Sequence, residues 1–269
     1  MILTGDKFND LKISIITINY NNAAGLEKTI CSIVAQTYRF IEYILIDGGS
    51  ADGSKDVINR YAGNFAYSIS EPDTGIYSAM NKGIRAATGD YLLFINSGDI
   101  LLNDSVIEEA IRFRLDKDLV SGNIVFSEGK DLRDWIVDEE ISFRTFYEST
   151  IPHPGTFIKR ELFEEVGLYN EQYTIVSDWD FFLLATCKFN CSYKHINLSI
   201  SLFFLDGISA NPENFSIMLA ERGDVLNRHF PFFIKDYEKY KDLEQDFRKV
   251  RKYAKAKKVI NRFLKGKYS

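Results

Sequence analysis

Cysteine and histidine are scarce in this chain, at three of each in 269 residues. Cys31, Cys187 and Cys191 are too few for a disulfide framework, and Cys31 lies on an apolar helical pattern with Ile30, Ile33 and Val34. Cys187 and Cys191 stand one helical turn apart, but no further Cys or His pair completes a zinc site. Long apolar runs are missing too. No stretch approaches the roughly 18 to 20 residues a membrane-crossing helix needs, and Met1 to Lys12 lacks the charged start and apolar centre of a signal peptide. A cytoplasmic location is therefore expected. Glycine-rich nucleotide loops are absent as well. The first strand–helix junction, Asn21-Asn-Ala-Ala-Gly25, lacks dinucleotide-fingerprint spacing, and no G-x-x-x-x-G-K-[ST] occurs. NAD binding and P-loop chemistry are poorly supported on that account. Internal repeats and low-complexity linkers are also lacking.

What the chain does have is an ordinary globular balance, 45% apolar and 26% charged, and length for one large core or two small ones. One catalytic domain over residues 1–215 is expected, with a helical appendage over 216–269. The net charge of −5 conceals an asymmetry: residues 241–269 hold eleven Lys/Arg against three acids, so the tail is +8 and the remainder −13. An acidic body argues against nucleic acid as a partner and for a separate role of the tail.

Lys12-Ile-Ser-Ile-Ile-Thr-Ile-Asn-Tyr20 is β-branched and nearly all apolar, as a strand buried on both faces should be. A helix with Leu26, Ile30, Ile33 and Val34 at helical spacing follows, then a strand at Phe40–Ile46 closed by Asp47-Gly-Gly-Ser50. Asp52 to Ser54 suits the cap of a helix to Tyr61, and a strand near 65–70, a helix near 75–87 and a strand at 91–95 continue the alternation. This βα repetition predicts an α/β fold, a mostly parallel sheet flanked by helices on both faces.

Four ordered motifs carry a resemblance: Ser14-Ile-Ile-Thr-Ile-Asn-Tyr-Asn21, Ile46-Asp-Gly-Gly-Ser-Ala-Asp-Gly-Ser54, Glu71-Pro-Asp-Thr-Gly-Ile-Tyr-Ser-Ala-Met-Asn-Lys-Gly83 and Phe94-Ile-Asn-Ser-Gly-Asp99. Over about residues 12–210 the chain resembles family 2 inverting glycosyltransferases of the GT-A (Rossmann-like) fold. Within that family it is most similar to bacterial exopolysaccharide enzymes such as those of colanic acid. The resemblance implies transfer of a hexose from a nucleotide-sugar, a UDP-sugar first, to a hydroxyl of a glycan or lipid-linked oligosaccharide in cell-surface polysaccharide synthesis.

The resemblance also assigns residues. Ile18, Tyr20 and Asp47 would surround a uracil-like base, a carboxylate being a sensible acceptor for an imide N–H. Asp47-Gly-Gly-Ser50 also reads as a plain turn leading into a helix. Asp73, Asn81, Asn96 and Ser97 fall near the donor. Asn96 and Gly98 stand where the family carries carboxylates, so Asp99 is the sole acid of its motif, and it would hold a divalent cation, Mn²⁺ or Mg²⁺, together with the donor diphosphate. Asp178 in Ser177-Asp-Trp-Asp180 matches the general base. Ser177-x-x-Asp180 reads equally as a capping box, and Trp179 as a sugar platform or as core. His153, Trp179 and Asp180 would lie on the acceptor side, and Gly207 and Ser209 near the donor phosphates.

Beyond Pro231 the pattern Tyr237, Tyr240, Leu243, Phe247, Val250, Tyr253, Ile260, Phe263 predicts one or two long amphipathic helices with a lysine-rich face. That face is either a solvated surface or a contact with an anionic membrane, which would make the protein peripheral at the inner face of the cell membrane. Two rivals remain at this stage: a sugar-phosphate nucleotidylyltransferase, which would need a basic glycine-rich first loop, and a non-catalytic nucleotide-sugar-binding module.

Overall fold

A computed structural model of the chain describes residues 10–128, 131–205, 207 and 211–265. It forms two compact units, Met1–Met218 and Leu219–Ser269. The first begins with the expected alternation: β1 (Ile13–Asn19), α1 (Ala23–Val34), β2 (Ile41–Asp47), α2 (Ser54–Arg60), β3 (Tyr67–Ser70), α3 (Ile76–Ala86) and β4 (Tyr91–Phe94). These strands lie in the order β3-β2-β1-β4 and all pair in parallel, with Ile13 opposite both Ile41 and Tyr91.

The sheet continues through β5 (Ile100–Leu101), α4 (Val106–Arg112), β6 (Leu119–Glu128), β7 (Asp131–Trp135), α5 (Phe143–Glu148), β8 (Thr156–Lys159), α6 (Leu162–Val166), α7 (Ser177–Cys187) and β9 (Tyr193–Phe204). Its full order is β3-β2-β1-β4-β8-β6-β9-β5, with β7 on β6. The parallel arrangement expected from the βα repeat thus holds for the first four strands, whereas the later half is mixed. β8 is antiparallel to β4 and β6, β5 to β9 and β7 to β6, while β9 runs parallel to β6. The reason is connectivity: β8 emerges from a 3-10 turn at His153–Gly155 and not from a crossover helix.

Alternation along the strands divides the core. Ile13, Ile15, Tyr43, Leu45, Tyr91 and Leu93 join Leu26, Ile30 and Ile33 of α1 and Val106, Ile107 and Ala110 of α4 in one cluster. On the other face α3 lies against β1 and β2, so close that a Cβ on Gly83 would stand 2.5 Å from Ile16 Cγ2. Only glycine permits that approach. The second unit contains the end of α8 (Phe215–His229) and α9 (Pro231–Lys265), one helix where one or two were expected beyond Pro231, with the proline at the first helical position. Among the described residues no helix is long and apolar enough to cross a membrane.

Glu42 fastens the edge of the sheet where β1 begins. Its buried carboxylate accepts hydrogen bonds from Lys12 Nζ (2.5 Å), Ser14 Oγ (2.6 Å), Thr88 N (2.7 Å) and Thr88 Oγ1 (2.6 Å). Burial opposes its ionisation, but these donors outweigh burial and bring its pKa from 4.5 down to about 2. A carboxylate with a folded-state pKa below its unfolded one stabilises the fold fully above the unfolded value, and that contribution fades as pH falls toward the folded one. Glu42→Gln should therefore cost about 1.5–3 kcal/mol at neutral pH in denaturant unfolding, the range for hydrogen bonds to a charged group. The gap between the two proteins should close between pH 4.5 and about 2. A constant gap across that window would show that Glu42 contributes by packing alone.

Candidate functional site

The carboxyl ends of β1, β2, β3 and β4 converge, as they must when parallel strands share one register, and most of the expected donor residues stand there. Asp47, at the end of β2, is fully buried. Its oxygens accept from Asn19 Nδ2 (2.7 Å), Ser50 Oγ (2.6 Å), Ser50 N (3.0 Å) and Ser70 Oγ (2.6 Å). Burial raises its pKa, and the hydrogen bonds from Ser50, Ser70 and Asn19 overcome that and hold it below the ordinary value. Asp47 is thus an ionised tie between three strand ends, with its acceptor capacity engaged by the protein. The reading of this segment as a turn and the reading as a base reader divide here: the turn is what these bonds build.

The accessible carboxylate lies across the next glycine. A Cβ built on Gly48 would stand 2.8 Å from Asp73 Oδ2 and 3.1 Å from Tyr20 Cδ2. Tyr20, 69% exposed, and Asp73 therefore close onto the bare backbone of Gly48, and the narrow slot between them has no room for even a Cβ. Asp73 Oδ1 accepts from Gly75 N at 3.1 Å, which turns Oδ2 toward the slot. Ile18 is buried beneath, its carbonyl accepting from Ser97 N at 3.0 Å.

The loop Asn96-Ser-Gly-Asp99 after β4 is clamped on α1. Asn22 Nδ2 donates to Ser97 O (3.2 Å), Ser97 Oγ to Asn22 O (3.3 Å), Thr29 Oγ1 to Asp99 O (2.7 Å) and Gly98 N to Thr29 Oγ1 (3.0 Å). Asp99 N closes the turn onto Asn96 O at 2.9 Å. Asp99 Oδ1 accepts from Phe204 N at 3.3 Å, joining this loop to the end of β9. Asn96 Oδ1 is buried with no hydrogen-bond partner. An orphaned amide oxygen in a four-residue turn with a carboxylate fits a hard cation that takes its other ligands from phosphate and water. Among the described residues no cluster of three His, Cys, Asp or Glu forms a complete protein cage. Gly207 is described and exposed; Ser209 lies outside the described residues.

Asp178 occupies the first turn of α7 and is half-buried, and its Oδ1 accepts from Tyr77 Oη at 2.9 Å. Tyr77, on the first turn of α3, is buried among Tyr169 and its neighbours, and burial followed by the adjacent carboxylate raises its pKa well above normal. The phenol is therefore a fixed donor at neutral pH. Behind it Tyr169 Oη meets His153 Nε2 at 2.9 Å, and the His153 ring stacks on Phe94 with centroids 4.5 Å apart. Burial lowers the His153 pKa more than the Asp178 charge raises it, so the ring is neutral. His153 is thus part of the packed support beneath Asp178 and presents no exposed edge to an acceptor.

Three other expected positions turn inward. Asn81 spends both amide hydrogens on Tyr169 O (2.9 Å) and Glu171 Oε1 (2.8 Å) and accepts from Tyr169 N (3.0 Å), so it secures the segment before α7. Trp179 is buried and donates its indole N–H to Phe146 O (2.9 Å) and Ser149 O (3.1 Å): it is core. Asp180 is buried, and Val176, not a side chain, caps α7, so the capping box suggested by Ser177-x-x-Asp180 does not form. The Trp179 bonds place α7 against α5, which with the preceding segment lines a cavity of about 510 Å³ through Trp135, Ile136, Arg144, Glu148 and Ser149.

Tyr77 and Gly48 were not singled out by sequence reasoning, although both lie inside quoted motifs. A first-turn tyrosine reads as core, and nothing local reveals a hydroxyl bonded to a residue 101 positions later. The doubled glycine of Asp47-Gly-Gly-Ser50 was the available signal for Gly48.

Comparison with known proteins finds relatives of the chain and of its fold. The chain is 32% identical over 240 residues to an uncharacterized glycosyltransferase of Mycobacterium tuberculosis, covering 82% of this chain and 86% of that protein. It is 33% identical over 174 residues to a PGL/p-HBAD biosynthesis glycosyltransferase of the same organism, covering 62% and 67%. The fold is that of S. aureus TarS 1-349 solved in complex with UDP-GlcNAc, with a TM-score of 0.61, 18% identity and coverage of 82% and 73%. It spans 44% of a longer TarS chain. A mannosyltransferase of Pyrobaculum calidifontis, solved with GDP-Man and Mn²⁺, matches at a TM-score of 0.59, 17% identity and coverage of 84% and 64%. With residues 14–167 matching the profile of Glycosyl transferase family 2 on a GT-A architecture, the chain belongs to that family of glycosyltransferases.

Proposed function

We propose that this chain transfers a hexose from a UDP-sugar to a hydroxyl of a glycan or lipid-linked oligosaccharide, with inversion at the anomeric carbon, in cell-surface polysaccharide synthesis. The observation that carries this reading is the Asp178 carboxylate, held through Oδ1 by Tyr77 with its second oxygen available on the first turn of α7. In this reading Asp178 takes the proton of the acceptor hydroxyl as its oxygen attacks C1 and the C1–phosphate bond breaks on the opposite side, releasing UDP. Asp73 Oδ2 accepts the imide N–H of the base, with the ring against the exposed side chain of Tyr20. Asn96 Oδ1 and Asp99 would hold a divalent cation, whose chemistry is to stabilise the departing diphosphate.

Four measurements test the assignment. Asp178→Asn should lower kcat about 10²- to 10⁴-fold, the usual worth of a general base, with UDP-sugar affinity intact in calorimetry. Retained turnover would remove Asp178 from the chemistry. Tyr77→Phe should lower kcat about tenfold with donor KM unchanged, because it loosens the base and leaves the donor slot alone. If KM rises and kcat holds, Tyr77 serves binding. Gly48→Val fills the slot between Asp73 and Tyr20 and should weaken UDP binding by about tenfold or more, roughly 1.4 kcal/mol, without loss of fold. Titrating UDP-, GDP- and dTDP-sugars with and without Mn²⁺ identifies the donor class, and tight binding of GDP alone would overturn the uracil assignment.

A further inference from the structure

α9 carries an apolar stripe that the site around Asp178 does not use. Tyr240, Leu243, Phe247 and Val250 are 55%, 68%, 63% and 62% exposed. They follow one another at spacings of three, four and three, the a and d positions of a heptad repeat and the seam geometry of paired helices. Continuing the register puts Phe233, Ala254 and Asn261 at further a positions and Asp236, Lys257 and Leu264 at d positions. The apolar seam therefore runs from Tyr240 to Ala254, bounded by polar residues that disfavour slippage.

The charges beside the seam identify what covers it. The flanking g and e positions read Lys239, Glu244, Asp246 and Arg251, two acids bracketed by two bases. When two such helices pair in parallel, Lys239 of one copy faces Glu244 of the other and Asp246 faces Arg251. When they pair antiparallel about the middle of the seam, Lys239 faces Asp246 and Glu244 faces Arg251. Either way the stripe is complementary to itself. An interfacial helix on anionic lipid would instead carry Lys and Arg on both flanks, and here two of the four flanking charges are acids. The uniformly basic stretch of the tail, from Arg251 to Lys267, begins where the seam ends. Glu244 and Asp246 pair within the helix with Arg248 (2.7 Å) and Lys249 (2.9 Å), exposed contacts that cost little to exchange.

We propose that α9 is a self-association surface through which a second copy of this chain pairs with the first along Tyr240, Leu243, Phe247 and Val250. This goes beyond the catalytic reading and does not depend on it. Two heptads of apolar seam support a modest affinity, so the dimer should grow with concentration.

Sedimentation velocity of the full chain across a micromolar concentration range tests this. The wild-type chain should pass from monomer to dimer. Leu243→Asp/Phe247→Asp should stay monomeric over the same range, with UDP release from the donor unchanged. Arg251→Glu, which places like charges across the seam in either orientation, should raise the dimer dissociation constant several-fold with helicity retained in circular dichroism. A wild-type chain that is monomeric throughout, or a dimer that survives the double substitution, would overturn the proposal. So would a monomer that floats with phosphatidylserine vesicles and loses that binding in Leu243→Asp/Phe247→Asp, since the stripe would then be a lipid face.

Discussion

The buried carboxylate of Asp47 is the constraint on which the donor half depends. An ionised group without access to water is tolerated only when its oxygens are engaged, and four hydrogen bonds from Asn19, Ser50 and Ser70 engage these. Those donors belong to the ends of β1 and β3 and to the turn after β2, so satisfying one carboxylate fixes three chain segments at once. Gly48 is the next residue, and its bare backbone consequently has a defined position beneath Tyr20 and Asp73. The backbone there is preorganised by a buried charge whose bonds lie within the protein.

Helix α3 carries that order across to Asp178. Its N-terminal turn begins just after Asp73, Tyr77 reaches Asp178, and Asn81 grips Tyr169 and Glu171. Tyr77 and Asn81 are four residues apart and so share one helix face, the face that receives the segment leading into α7. One holds the carboxylate while the other holds its approach. Gly83, two residues further, lets the same helix lie directly on Ile16 of β1. The separation between Asp73 and the Asp178 carboxylate is thus set by a single rigid element.

On the acceptor side the support is aromatic. Phe94, His153, Tyr169, Phe163, Phe181 and Phe182 stack and tilt against one another beneath Asp178. Burial keeps His153 neutral, so no second charge competes with the carboxylate there. The cavity around Trp135 and Arg144 is built from β7, α5 and their connection.

The parallel half of the sheet was legible because β-branched runs such as Ile13–Asn19 and helical spacings such as Leu26, Ile30, Ile33 state their burial locally. The acids at 47, 99 and 178 were legible as places, since strand ends and helix starts are where such residues collect. β5 and β8 were not: strands of two and four residues carry too little period to announce themselves, and their antiparallel pairing is decided by partners on β9, β4 and β6. Tertiary structure alone also decided which carboxylate is engaged and which is accessible. Asp47 and Asp73 look alike in sequence, yet Ser50 and Ser70 converge on the first and leave Oδ2 of the second facing the slot over Gly48. Asn81 and Trp179 turned inward for the same reason. A pattern along the chain records whether a residue is buried, whereas what its polar atoms do depends on groups brought from 23 to 101 positions away, which only the folded chain assembles.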